Sequence, residues 1–214
     1  MKPVGLRGMR GAAALAAAGL LLATAAAAGA AERQPVRSLL EMRRDRVVIQ
    51  QWDLSCGAAA LATLLNFQHG ESVTEREVAL GLIARPEYLD DPALVRARAG
   101  FSLLDLKRFV ESRGYDGIGY GRLTFDDLLA KAPVLVPVDL LGYNHFVIFR
   151  GAMGDRVLLA DPAFGNRTLL RDRFMDAWID YGEMGHVGFV VARRGGPAPP
   201  NGLAPRPEDF LALH

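Results

Sequence analysis

Cysteine is all but missing from this chain: its 214 residues include one, Cys56. A lone cysteine cannot close an internal disulfide. The histidines, His69, His145, His186 and His214, are scattered and lack cysteine partners at zinc-binding spacing, so no metal site and no cofactor are expected. An excess of one charge is also lacking. Lys and Arg number 25 against 24 Asp and Glu, for a formal net charge of +1, and the two signs are interspersed. This excludes the concentrated basic face that phosphate binding requires, so nucleic acid is not an expected partner. No internal repeat is present. Beyond the N-terminal segment no apolar run approaches the ~20 residues of a membrane span.

The N-terminal segment itself has the pattern of a secretory signal. Lys2, Arg7 and Arg10 precede an Ala/Leu run from Ala12 to Ala28, and Ala28-Gly29-Ala30 fits a small-x-small cleavage site. Residues 1–31 are therefore expected to be a signal peptide and the protein periplasmic; an uncleaved anchor is the alternative. Residues 38–194 are long enough for one domain with a single core. Residues 195–214, rich in Pro and Gly, are expected to be an irregular tail.

Within the domain the character of the chain changes partway. Thr74 with Glu77, Ser102 with Asp105 and Thr124 with Asp127 have capping-box spacing. The run from Ser102 places Leu103, Leu106, Phe109 and Val110 on one helical stripe that stops at Gly114. Later come short β-branched or aromatic runs bounded by Gly, Pro and Asn, at 134–140, 145–151, 156–161 and 187–193, and then a helix over about 171–179 in the interval before the last of them. Helices followed by strands predict an α+β domain, its N-terminal helices packed on one side of a largely antiparallel C-terminal sheet. Residues 85–100 are expected to form an irregular connection.

Cys56 opens the stretch Cys-Gly-Ala-Ala-Ala-Leu-Ala-Thr-Leu-Leu, a helix with almost no polar face that must be buried. Unpaired backbone N–H groups and the helix dipole favour negative charge at a helix start, and the thiolate is the nucleophilic form of cysteine. The alternative is a buried, inert thiol. A nucleophile needs a base, and the base needs a group to orient it. His145 opens one strand and Asp161 closes the next. If the hairpin is centred on Met153, with Gly154 in the left-handed position of a three-residue loop, the two residues stand directly opposite each other. A one-residue slip would turn them to opposite faces. His186 is the alternative base. Gln50, just before the nucleophilic helix, offers a side-chain amide to an oxyanion; Gln51 is its alternative.

Gln-x5-Cys-Gly with an Ala/Leu helix, a His-Phe-Val strand and then Asp-Pro, in that order, resembles the bacteriocin-processing, double-glycine cysteine peptidase family from Val47 to Val191. The resemblance implies a papain-like fold and cleavage after a Gly-Gly pair. It assigns Cys56 as nucleophile, His145 as general base and acid, Asp161 as orienter and Gln50 as oxyanion donor. A narrow cleft for Gly-Gly would take walls from Trp52, Tyr143 and Asn144. Ser55 departs from the aspartate that many family members carry before the cysteine, and no transporter is attached. The signal-bearing, stand-alone form is most similar to the exported peptidases of functional-amyloid (Fap-type) secretion systems, which implies a peptide or protein substrate, with a component of such a system as the candidate. The alternatives are a catalytically silent module that binds an extended peptide and a transglutaminase-like acyl-transfer enzyme. Gly195-Gly196 after Arg193-Arg194 is expected to be a hinge, with a processing site as the alternative.

Overall fold

Four helix starts share one local chemistry. Ser38 with Glu41, Thr74 with Glu77, Ser102 with Asp105 and Thr124 with Asp127 each close a capping box, in which the hydroxyl accepts from the third backbone N–H and the acid accepts from the cap residue's own N–H. A computed structural model of the chain describes residues 37–211 apart from positions 92, 98–99 and 141. The signal peptide, its cleavage site and the alternative anchor lie outside the described residues. Among the described residues no helix is long and apolar enough to cross a membrane.

The helices and strands follow in the order α1 (Leu39–Arg44), α2 (Cys56–His69), α3 (Glu75–Ile83), α4 (Pro86–Asp90), α5 (Ala93–Ala97), α6 (Leu103–Ser112), β1 (Tyr115–Tyr120), α7 (Phe125–Lys131), β2 (Val134–Leu140), β3 (Tyr143–Met153), β4 (Arg156–Asp161), β5 (Gly165–Leu170), α8 (Arg171–Ala177), β6 (Gly188–Arg193) and α9 (Pro207–Leu211). The expected irregular connection at 85–100 contains two short helices. Pro86 stands at the first turn of α4, where its missing N–H would be unpaired in any case.

The strands form one six-stranded sheet in the order β1-β6-β2-β3-β4-β5, antiparallel throughout. On one face Leu61, Leu64 and Leu65 of α2, Val78 of α3 and Leu106 of α6 pack against Leu135, Ile148, Ala160 and Phe189. This is the layering expected of the N-terminal helices. The opposite face is covered as well, by Leu128 of α7, Phe174 of α8 and Trp178 against Val136, Val147, Phe149 and Leu159. The reason is visible in the strands. Val134 through Val138 are buried without alternation, and so are Val147 through Phe149, and a strand with no polar face needs cover on both sides.

The C-terminal segment also departs from expectation. It is Pro/Gly-rich, yet it folds back onto the sheet and ends in α9. Leu203 is fully buried. Its carbonyl accepts from Nε of Arg150 at 2.7 Å, while Arg150 Nη1 donates to Asn166 Oδ1 at 2.6 Å. Asn201 Nδ2 donates to the Arg150 carbonyl at 3.0 Å, and Asp209 of α9 brings a carboxylate to 3.8 Å from the same guanidinium. Arg150 is entirely buried, and burial pulls its guanidinium down to about 10 despite the Asp209 and Asp45 carboxylates. Leu203→Ala should lower the unfolding free energy by about 2–5 kcal/mol. Deleting residues 195–214 should cost at least as much, because it strips partners from a buried cation. Urea unfolding of the three proteins measures both; equal midpoints would show that the segment is not part of the folded domain.

Candidate active site

Helix α2 starts without a side-chain cap: Ser55 occupies the cap position, but its hydroxyl makes no bond to the helix. The first-turn N–H groups are thus left facing outward beside Cys56. From Cys56 through Leu65 every residue is buried, so the helix is fixed by packing on all sides and its first residue cannot drift. The turn before it is tight. Leu54 has φ 66, a left-handed backbone that costs a residue with a Cβ roughly 1–2 kcal/mol.

Strand β3 brings the histidine to this helix end. Phe146 lies over Gly57, where an added Cβ would meet Phe146 Cδ2 at 3.4 Å. Its neighbour His145 lines the same cleft as Cys56, of about 390 Å³, together with Asn144, Phe101, Leu103 and Tyr181. His145 and Asp161 are both nearly inaccessible, at 4% and 2%. His145 Nε2 lies 2.7 Å from Asp161 Oδ1.

The register that joins them differs from the expected one. The loop is two residues, Gly154-Asp155, with Met153 paired to Arg156. That slip by itself would turn the acid away from the ring. A β-bulge between Phe149 and Gly151 absorbs one residue at Arg150, after which Phe149 pairs with Leu159 and Ile148 with Ala160. Continued toward the strand end, this ladder sets Asp161 opposite Val147, diagonal to His145 and on its face. Long side chains bridge a diagonal pair.

The Asp161 carboxylate is held from several sides. Oδ1 also accepts from the Ala163 N–H at 2.9 Å, and Arg167 Nη1 lies 3.5 Å from Oδ2. Burial acts to raise its pKa, but the His145 hydrogen bond and charge, the Ala163 N–H and Arg167 outweigh it and hold the carboxyl below its ordinary value. For His145, burial disfavours the charged ring. The Asp161 hydrogen bond and charge and the proximity of Cys56 overcome that and raise it to about 9. With Nε2 committed to Asp161, Nδ1 is the ring nitrogen left for Cys56, and it makes no closed hydrogen bond among the described residues.

The other expected site residues separate. The Gln50 backbone N–H donates to the Pro162 carbonyl at 2.8 Å, tying the residue to the position after Asp161. Its Nε2 donates to the Trp52 carbonyl at 3.3 Å, and its Oε1 is buried without a partner. Gln51 instead donates its N–H to Glu75. Asn144 lines the cleft. The exposed Tyr143 ring lies 5.7 Å from the His145 ring, and burial followed by the charges of Cys56, Asp53 and Asp161 raises its phenol above the usual value. Trp52 is exposed and lines a neighbouring groove with Leu80, Ile83 and Arg96, not the cleft that holds Cys56 and His145. His186 stacks on Trp178 at 4.4 Å, and its Nδ1 is 3.4 Å from the Ile179 carbonyl; the carboxylate partner belongs to His145. Sequence reasoning missed Glu75, whose only signal was its position beside a capping threonine, and the cleft residues Phe101 and Tyr181, which come from distant segments.

Comparison with known proteins bears on the fold and the family. A protein of Pseudomonas fluorescens described as a probable functional amyloid protease FapD is 41% identical over 162 residues, 75% of this chain and 69% of that protein. A protein of the same description from Pseudomonas aeruginosa is 38% identical over 143 residues, 67% of this chain and 61% of that protein. Among solved structures, a double glycine motif protease from an AMS/PCAT transporter, in complex with the leader peptide, superposes with a TM-score of 0.54 at 21% identity over 69% of this chain and 90% of that one. The peptidase domain of Streptococcus ComA gives 0.53 at 15% over 69% and 98%. At these identities the two structures speak for the fold alone, which is that of these peptidase domains. The Peptidase C39 family profile matches residues 44–182, a span that takes in the cysteine helix, the histidine strand and the aspartate, and the chain belongs to that family.

Proposed function

We propose that this protein is an exported, periplasmic cysteine peptidase that cuts a peptide bond after a Gly-Gly pair in a protein of a functional-amyloid secretion system. The observation that carries the reading is the buried His145–Asp161 hydrogen bond opening onto the same cleft as Cys56. The named relatives support the amyloid context, and the N-terminal Lys/Arg and Ala/Leu pattern supports export.

In this reading the Cys56 thiol gives its proton to His145, the resulting thiolate attacks the carbonyl carbon, and the charge that develops on oxygen is held by the Cys56 N–H and the Gln50 amide. Protonated His145 gives its proton to the leaving amine, which departs with the C-terminal fragment. The neutral imidazole then takes a proton from water, whose oxygen attacks the thioester and releases the new carboxylate and the thiol. Asp161 keeps the ring oriented and stabilises its charged form. Gln50 would need to turn its amide from the Trp52 carbonyl toward the cleft.

Incubated with a double-glycine peptide, the protein yields by mass spectrometry a fragment ending in Gly-Gly, and Cys56→Ala yields none; an adduct heavier than the substrate would instead mark acyl transfer. Gln50→Ala lowers kcat by ~10²–10³, the loss seen when one oxyanion donor is removed. Because His145 sits at about 9 in the fold, kcat/KM declines as pH rises through about 9, where the proton donor is lost. Asp161→Asn moves that limb to lower pH, since burial then acts against the charged ring with less opposition. The same raised value stabilises the fold by an amount present below the ordinary 6.5 and lost as pH rises through about 9. Urea midpoints across pH 5–10 for wild type and His145→Asn read this difference, and a constant gap would contradict it.

A further inference from the structure

Glu75 opens helix α3, outside the site described above, yet its carboxylate is buried at 3% exposure and turned toward the turn that precedes Cys56. Its oxygens Oε1 and Oε2 both accept from the Gln51 backbone N–H, at 3.1 and 2.9 Å, and Oε1 also accepts the Ser55 hydroxyl. The two donors flank the turn on either side: Gln51 follows the proposed oxyanion amide, and Ser55 precedes the proposed nucleophile. The turn between them contains Leu54 in its left-handed conformation, and Gly100 lies so near the Leu54 carbonyl that an added Cβ there would approach it to 3.0 Å. Such a turn holds its shape only when contacts around it fix it.

Resting on the peptidase reading, we propose that Glu75 is a positioning residue, which clamps Gln51 and Ser55 so that the Gln50 amide and the Cys56 N–H converge on one oxyanion. Two features favour this role over a merely structural one. The Ser55 hydroxyl stands where it would ordinarily cap α2 by accepting from a first-turn N–H, but it makes no such bond. It lies instead against Glu75, and 2.6 Å from the Trp52 carbonyl; its single proton can serve one of these at a time. The first-turn N–H groups therefore stay open for a developing negative charge. Second, the Trp52 carbonyl is also the acceptor of the Gln50 amide, so the hydroxyl that Glu75 holds and the amide that must swing share one atom. The hydroxyl proton and the amide thus compete for one carbonyl oxygen, and the turn that Glu75 fixes keeps its shape while Gln50 moves. A carboxylate supplied by α3 thus acts on the turn that leads into α2.

The test separates oxyanion binding from thiol reactivity. Hydrolysis of 4-nitrophenyl acetate needs the thiol and the oxyanion donors but no proton for its leaving group; alkylation by iodoacetamide needs the thiol alone. Glu75→Gln removes the charge and replaces one of the two acceptor oxygens with an amide donor. It should lower kcat for the ester about 10–100-fold with KM within about 2-fold, and leave the Cys56 alkylation rate within about 2-fold of wild type. Ser55→Ala should lower kcat in the same direction, and the double variant should be no worse than Glu75→Gln alone. Should Glu75→Gln fail to fold, Ser55→Ala carries the same comparison with the Gln51 contact intact. Unchanged kcat in a folded variant, or alkylation that falls in step with kcat, would overturn the positioning role while leaving the peptidase reading in place. Wild-type turnover no faster than that of Cys56→Ala would overturn both.

Discussion

The bulge at Arg150 is the constraint on which the site depends. A two-residue loop at Gly154-Asp155 starts β4 in a phase that would aim Asp161 away from His145. One residue must be absorbed before the strand ends, and Arg150 is where it happens. A bulged residue loses ladder partners, and here the side chain and carbonyl of the bulged residue find theirs in Leu203, Asn166 and Asn201. The polar contacts that hold the bulge thus come from β5 and from the chain beyond β6. The hydrogen bond between ring and acid is as secure as a hairpin irregularity near the middle of the strand allows.

A second constraint is dryness. The sheet is covered on both faces, and His145 and Asp161 emerge at its end with almost no contact with solvent. In that setting a charged ring is costly unless an anion stands beside it, and the carboxylate supplies it. The Ala163 N–H and Arg167 in turn hold the carboxylate. Each charge is made tolerable by the next, from Arg167 outside through Asp161 and His145 to the cysteine at the helix start. The helix contributes by being immobile: packed on all sides from Cys56 to Leu65, it presents one sulfur at one place.

Much of this could be read from the residue order. The hydroxyl-acid pairs at Thr74, Ser102 and Thr124 begin helices because the capping chemistry is local, and the apolar runs at 134–140 and 156–161 form strands as marked. Cys56, His145 and Asp161 stood out because each sits at the end of a strongly patterned element. What was not legible depends on contacts between distant segments. β1 and β5 carry Gly117, Gly119 and Asn166, which weaken the strand signal, and they form against neighbours already in place. The burial of both sheet faces was written in the unbroken apolar runs of β2 and β3. The bulge has no sequence mark, since Arg150 looks like any exposed arginine until Leu203 covers it. Pro and Gly after Arg194 signalled an unstructured end, but those residues only bend the chain so that Asn201 and Leu203 can return.

That return has a temporal side. Leu203 lies 53 positions beyond Arg150, and a polypeptide emerges N-terminus first, whether from a ribosome or through a translocation pore. The cysteine helix and the histidine hairpin can therefore both be outside before the segment that locks their phase arrives. Until then Arg150 lacks its Leu203 and Asn201 partners. The contacts that hold the bulged residue are thus complete only once the last residues have emerged.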